Sequence, residues 1–202
     1  MQNIKDDLVN KNLYTDLLDK YGDDFRSLNW GSAESQRKRF EIFASIADLR
    51  NSSILDVGCG LSHFYEWLKY RNIEVNYHGI DITPDMIIRS KQKFPEATFS
   101  VGTIFDETSA TQRQYEYVFA SGIFYLRSDN PNDYLKRTVE GMFRLSNRGI
   151  AFNCLSAWSN DKDPDEFYAD PADVILFCKN LSPKIIFQHH YHPSDFTIFI
   201  YK

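Results

Sequence analysis

The chain has three scattered cysteines, no Cys-x-x-Cys pair and no run of roughly 20 apolar residues. An odd set of thiols without metal-ligand spacing, Cys59, Cys154 and Cys178, argues against a disulfide framework or a zinc knot and for free thiols in a reducing compartment. No bilayer span is expected. The opening residues, MQNIKDDLVN, are too polar for a signal sequence, so a cytoplasmic location is expected. Positive charge is scarce as well: 23 Lys and Arg stand against 28 Asp and Glu, and QRKR at 36–39 is the one short basic cluster. Phosphate neutralisation needs clustered positive charge, so nucleic acid is not the expected partner. The chain also has no internal repeat and no low-complexity tract.

What is present suffices for one domain: 202 residues, 43% of them hydrophobic, can fill a substantial core. Aromatics are abundant, with 12 Tyr and 16 Phe, enough to line a pocket as well as a core. Leu13, Tyr14, Leu17, Leu18 and Tyr21 recur at helical spacing until Gly22 ends the pattern. A second helix begins near Ser32 and carries Phe40, Phe43, Ala44 and Ala47 on one face. After that the period shortens. Strands are predicted at 53–57, 75–80, 98–101, 115–120, 149–155, 184–190 and 196–201, and helices at 62–69, 84–93, 132–145 and 171–180. Regular alternation of strand and helix predicts an α/β three-layer sandwich whose mostly parallel sheet is covered on both faces. The last two strands are joined by the short turn HPSD, which permits only an antiparallel pair.

ILDVGCG at 54–60 ends its strand on Asp56 and turns on Gly58 and Gly60, where the missing Cβ lets backbone approach a ligand. N–H groups in that turn can receive oxygen ligands, a carboxylate included; a tight turn without a ligand is the alternative. Asp81 closes the next strand, where a carboxylate can accept both hydroxyls of a ribose; capping helix 84–93 is its alternative role, although Thr83 stands better placed for that. A dinucleotide site is disfavoured. The third glycine of G-x-G-x-x-G is His63, and Asp56 sets a negative charge where pyrophosphate would lie. That acid suits a ligand bearing ammonium and sulfonium charges. No GK[ST] follows the glycines, so a P-loop is absent.

ILDVGCG, YHGIDITPDMI, FSVGTIFD and YEYVFASGIFYL follow one another in the motif order of the class I S-adenosylmethionine-dependent methyltransferases, and residues 53–155 resemble that family. The resemblance implies a sheet of order 3-2-1-4-5-7-6 and S-adenosylmethionine as methyl donor. It implies that the methionine part lies near Asp56, Gly58, Cys59 and Gly60, the ribose near Asp81, and the adenine against Ile82 with Thr103 and Ile104 at its edge. Ser121 is expected on the cofactor side of the wall after the fourth strand. The chain departs from the pattern at Ser62, where a third glycine is common, and at Thr103, where many members carry an acid. The expected organisation is one domain over 1–202: a helical cap at 1–50, a cofactor core at 51–155, a lid and helix at 156–183 and a hairpin at 184–202.

Trp30 and Arg39 precede the first strand and are candidates to close the cofactor opening, Arg39 by pairing with its carboxylate. Core packing for Trp30 and a solvated position for Arg39 are the alternatives. The segment 121–127 lacks the [DNS]PP[YFW] pattern of enzymes that methylate the amino groups of bases or glutamine, which leaves oxygen as the preferred acceptor atom. Phe124 and Tyr125 are candidate acceptor contacts, as are Trp158 and Tyr168 in a polar, flexible lid at 156–171. His190 or His192, at the active-site end of the last hairpin, is a candidate general base; a metal site is not expected. The expected activity is methylation of a small molecule. RNA or protein methylation, and cofactor binding without catalysis, are the alternatives, and monomer and homodimer both remain open.

Overall fold

In the computed structural model, which describes residues 4–29, 31–126 and 129–202 and the side chains from residue 10 onward, seven strands form one sheet of order β3-β2-β1-β4-β5-β7-β6. They are β1 (Ser53–Val57), β2 (Asn76–Asp81), β3 (Thr98–Val101), β4 (Tyr115–Ala120), β5 (Ser146–Leu155), β6 (Ile185–Gln188) and β7 (Asp195–Tyr201). All neighbours are parallel except β7, which runs antiparallel to both β5 and β6 because residues 189–194 are too few for a crossover. Several boundaries differ from the expected ones by a single residue, and two differ by more. β5 begins at Ser146, where pairing with Tyr115 across an irregular register starts the strand directly at the end of a helix. β6 stops at Gln188, so the histidines beyond it lie in a loop and strand alternation does not order them.

The described residues form six α-helices, α1 (Ile4–Tyr21), α2 (Ala33–Ala44), α3 (His63–Tyr70), α4 (Pro84–Lys93), α5 (Pro131–Leu145) and α6 (Pro171–Lys179), with a short 3-10 helix at Phe25–Leu28. Strand alternation sorts the core into two layers. On one face Ile54, Tyr77, Tyr117 and Phe119 pack against Phe40 and Phe43 of α2, Phe64 and Leu68 of α3 and Ile87 of α4. On the other, Leu55, Val118, Ile150 and Ile198 meet Leu135, Val139 and Met142 of α5 and Val174 and Cys178 of α6. Ser32 caps α2 through Ser35 N–H and Asp170 caps α6 through Ala172 N–H, each satisfying an amide the helix itself leaves open. α1 belongs to neither layer. Its Leu18 joins Leu61 and Met86 in a small separate cluster, with Tyr14 and Leu28 at its margin, above the carboxyl ends of the strands.

Candidate active site

The order of the sheet reverses between β1 and β4, and a cleft opens beyond the carboxyl ends of the strands there. Val57 at the end of β1 and Gly58 just beyond it, Asp81 and Ile82 at β2, Gly102 to Ile104 after β3 and Ser121 after β4 all line it. Tyr14 and Asn10 of α1 and Leu28 of the 3-10 helix line it from above. These α1 residues were not legible as site residues, because a helical apolar stripe looks the same over a core and over a cleft.

Gly58 and Gly60 have φ of +69° and +52°, and a Cβ there would sit 2.3 Å from Ile123 Cγ2 and 2.5 Å from Leu28 Cδ2. Their backbone amides are not spare. Gly58 N–H donates to Ile80 O at 2.8 Å and Cys59 N–H to the same oxygen at 3.1 Å. Gly60 N–H donates to Asp81 Oδ2 at 2.8 Å, and Ser62 N–H to Cys59 O at 2.8 Å. The glycines therefore offer close approach of bare backbone, and the expected cradle of N–H donors from these residues is not formed. Ser62 itself takes the left-handed φ of 59° that glycine commonly fills, tied by its hydroxyl to Ser90 at 3.1 Å.

Asp81 is buried at 8% exposure with both oxygens anchored, Oδ2 by Gly60 N–H and Oδ1 by Thr83 N–H, each at 2.8 Å. Burial pushes its carboxyl above the usual carboxylate range, against the pull of those two amides. Each oxygen retains a lone pair, so the carboxylate meets the cleft in a fixed orientation. Ser121 Oγ is buried in the same cleft and has no hydrogen-bond partner among the described residues. A polar ligand atom at that wall would satisfy it. Thr103 lines the cleft too, but its hydroxyl donates to Asp106 Oδ2 at 2.9 Å and accepts from Phe105 N–H at 3.2 Å, so the acid three residues on holds it.

Asp56 and Cys59 lie elsewhere. On β1, Leu55 and Val57 face the α5 layer, so Asp56 faces the other way, where Tyr77 Oη donates to its Oδ2 at 2.6 Å. Burial raises that carboxyl to about 7, with the Tyr77 hydroxyl opposing the rise and the charge of Asp81 adding to it. Asp56 is a core group that does not line the cleft, so it neither contacts a cationic ligand there nor stands where pyrophosphate would lie. Cys59 packs beside Gly79, where a Cβ would lie 2.7 Å from its sulfur.

A second cavity adjoins the first, and Leu28 and Gly122 line both. Phe124, Tyr125, His192, Arg39, Asp195 and Glu166 are among its walls. Tyr125 Oη accepts from Asn29 Nδ2 at 3.0 Å and meets Tyr14 Oη at 3.1 Å, so a pair of phenols joins the two cavities' walls. Arg39 does not reach the first cleft; its Nε donates to Asp195 Oδ2 in a buried ion pair, and its Nη1 donates to Ser35 O at 2.9 Å. Ser194 N–H donates to His192 Nδ1 at 3.2 Å, which places the proton of the neutral ring on Nε2, 3.4 Å from Ser35 Oγ. Burial, with the charge of Arg39 adding, lowers the His192 pKa. His192 is thus a neutral donor here, and the geometry does not present it as a base. His190 is exposed and outside both cavities.

The segment 156–170 is pinned where a flexible lid was expected. Ala157 N–H donates to Ala169 O at 2.8 Å and Phe167 N–H to Tyr125 O at 2.7 Å, which brings Glu166 to the second cavity. Trp158 turns away, 54% exposed, against Phe187 and His189. Tyr168 Oη donates to Glu166 Oε2 at 2.7 Å and accepts from Asp163 N–H at 2.9 Å, on an outer groove. Trp30 lies outside the described residues. Asn153 and Asp195 were missed; the signal available was a lone asparagine within the apolar run GIAFNCL and an acid closing the HPSD turn. Among the described residues no group of three or more His, Cys, Asp or Glu could hold a metal, and no helix is long and apolar enough to cross a membrane.

A profile of the methyltransferase domain family matches residues 48–188. A Mycobacterium tuberculosis protein named as a methyltransferase is 31% identical over 160 residues, spanning 74% of this chain and 93% of its own length. Trans-aconitate 2-methyltransferase of Afipia carboxidovorans is 28% identical over 109 residues, 54% of this chain and 41% of that protein. Magnesium protoporphyrin IX methyltransferase from Synechocystis PCC 6803, solved with bound S-adenosylhomocysteine, superposes with a TM-score of 0.71 over 96% of this chain and 99% of its own. At 11% identity that last likeness concerns the fold. The sheet order, the domain profile and a relative aligned over nearly its whole length together make this chain a member of the class I S-adenosylmethionine-dependent methyltransferases.

Proposed function

We propose that the chain moves a methyl group from S-adenosylmethionine, held in the first cleft, to a hydroxyl oxygen of a small molecule held in the second cavity. The observation that carries this reading is that the two cavities share Leu28 and Gly122 as walls, so that a donor and an acceptor can meet there. When bound, S-adenosylmethionine supplies a methyl carbon already activated by a sulfonium. The chain's part is alignment and exclusion of water. Asp81 would hold the ribose hydroxyls, Ile82 and Ile104 the adenine, and Ser121 Oγ a polar atom of the cofactor, with Gly58 and Gly60 giving room at the methionine end.

On the acceptor side, Phe124 and Tyr125 offer aromatic surface and His192 Nε2 a hydrogen-bond donor. Asp195, Glu166 and Arg39 share the second cavity's walls, which is not the clustered positive charge that a phosphodiester chain asks for. The net charge of −5 points the same way. The name of the Afipia relative places a small molecule as acceptor in that protein, in keeping with a small acceptor here. A protein that bound the cofactor without catalysis would have no use for the second cavity.

Calorimetric titration with S-adenosylmethionine tests the donor half. Binding is expected, and Asp81→Ala should weaken it by about tenfold or more, with thermal melts confirming a folded variant. Unchanged affinity would remove Asp81 from the ribose site. For the acceptor half, methyl-labelled cofactor and a fractionated cell extract should carry label into the small-molecule fraction; label in RNA or protein alone would overturn the reading.

A further inference from the structure

The second cavity contains a carboxyl group whose bonding is lopsided. Asp195 is 1% exposed, and the hydrogen bonds to its side chain converge on Oδ2, which accepts from Arg39 Nε, from Asn153 Nδ2 at 2.9 Å and from Tyr191 Oη at 3.2 Å. Oδ1 receives none among the described residues, although the residue lines the cavity. A carboxylate oxygen without a protein donor, on a residue that lines a cavity, is open to a ligand O–H.

Its position relative to the donor cleft is also fixed. Gly122, which borders both cavities, gives its N–H to Asn153 Oδ1 at 2.9 Å, and Asn153 passes its Nδ2–H to Asp195. Two hydrogen bonds therefore tie the carboxyl to the wall at which methyl and acceptor would meet. Such a chain also fixes which way the Asn153 amide points.

We propose that Asp195 is the general base of methyl transfer, its Oδ1 taking the proton of the acceptor hydroxyl; this rests on the reading of a hydroxyl acceptor in the second cavity. The oxygen forms its bond to the methyl carbon as the carbon–sulfur bond breaks, the electron pair returns to sulfur, and the O–H proton passes to Asp195. The charged and titratable groups facing the carboxyl are Arg39 from α2, Cys154 from β5, Tyr191 and His192 from the loop before β7 and Glu166 from the loop 156–170. Burial raises the carboxyl above the usual range, and Arg39, Asn153 and Tyr191 lower it without cancelling that rise. His192, a neutral donor, is left to orient the acceptor oxygen.

One test needs no acceptor. In protein carrying isotope-labelled aspartate, with the Asp195 resonance assigned by its loss in Asp195→Asn, the carboxyl should titrate above the ordinary aspartate range. It should move higher in Tyr191→Phe, which removes a donor to the ionised form. A resonance in the ordinary range, or one that Tyr191→Phe leaves unmoved, would overturn the proposal. The second test uses the small-molecule fraction that the wild type labels. Asp195→Asn should lower its turnover by about 100-fold, with cofactor affinity within about twofold of wild type as the check on folding. Tyr191→Phe should shift the acid limb of the turnover profile to higher pH, and that variant carries the test if Asp195→Asn does not fold. Equal turnover in Asp195→Asn would overturn Asp195 alone. No label with the wild type would overturn the acceptor reading and Asp195 with it.

Discussion

Gly60 illustrates how single positions set the cleft. Its φ of +52° is a left-handed conformation that costs a side-chain-bearing residue about 1–2 kcal/mol, and a Cβ would press on Leu28, the wall common to both cavities. Gly60→Ala should therefore lower unfolding stability by about that amount in denaturant melts and weaken cofactor binding by about tenfold. Gly31→Ala is the control: a Cβ there meets nothing within 4 Å, and neither quantity should change. Asp56 shows the opposite lesson. Its place beside the glycines in sequence suggested a ligand contact, but a strand turns alternate side chains to opposite faces, and Tyr77 on β2 is what it meets. Adjacency in sequence identified a motif position here without identifying its partner.

Among the elements, α1 stands apart from the sheet. It is anchored by Leu18, 1% exposed, against Leu61 and Met86, and by the Tyr14 hydroxyl on Tyr125. A helix held by so small a cluster should open locally before the sheet unfolds. Leu18→Ala should speed amide exchange throughout α1 and weaken cofactor binding, while the denaturant midpoint of the sheet moves little; an equal loss of protection in β1 and β4 would show α1 to be part of the global unit. The strands β1, β3 and β4 and the helix α4 were legible to the residue, because short apolar runs bounded by turn residues and a proline at a helix start leave little freedom. The loop 189–194 was not. His189 and His190 were expected within the strand 184–190, whereas β6 ends at Gln188 and Tyr191 folds in to bond Thr197 at 2.8 Å and Asp195.

For the molecule as a whole, buried ionisable groups set opposing dependences of stability on pH. The Asp56 carboxyl is raised to about 7, whereas an unfolded aspartate titrates near about 3.9. Between those values the folded chain keeps a proton that the unfolded chain has lost, so the contribution is full below about 4 and is lost as pH rises to about 7. His78, held by Ser100 and Tyr115, is lowered to about 4 by burial, with Arg113 adding, against about 6.5 unfolded. There the unfolded chain binds the extra proton, and stability is lost as pH falls from about 6.5 to 4. Asp56→Asn should gain stability relative to wild type as pH rises from about 4 to 7, by on the order of 4 kcal/mol at most, and then hold level. His78→Gln should flatten the loss on the acid side. Melts from pH 4 to 8 on both variants check the two signs separately, and a gain for Asp56→Asn that shrinks as pH rises would contradict the first.

The sequence by itself determined the layered sheet, its order through family resemblance, and the positions at which backbone could approach a ligand, because periodicity, turn residues and glycine are local properties written along the chain. The tertiary structure alone decided which side chains share a cavity. Asp195, Asn153, Gly122 and Arg39 come from four separate elements and are joined by hydrogen bonds that span 31 to 156 residues of sequence. No local pattern encodes such a meeting; it follows from strand order, from the face each residue takes and from what is buried beside it.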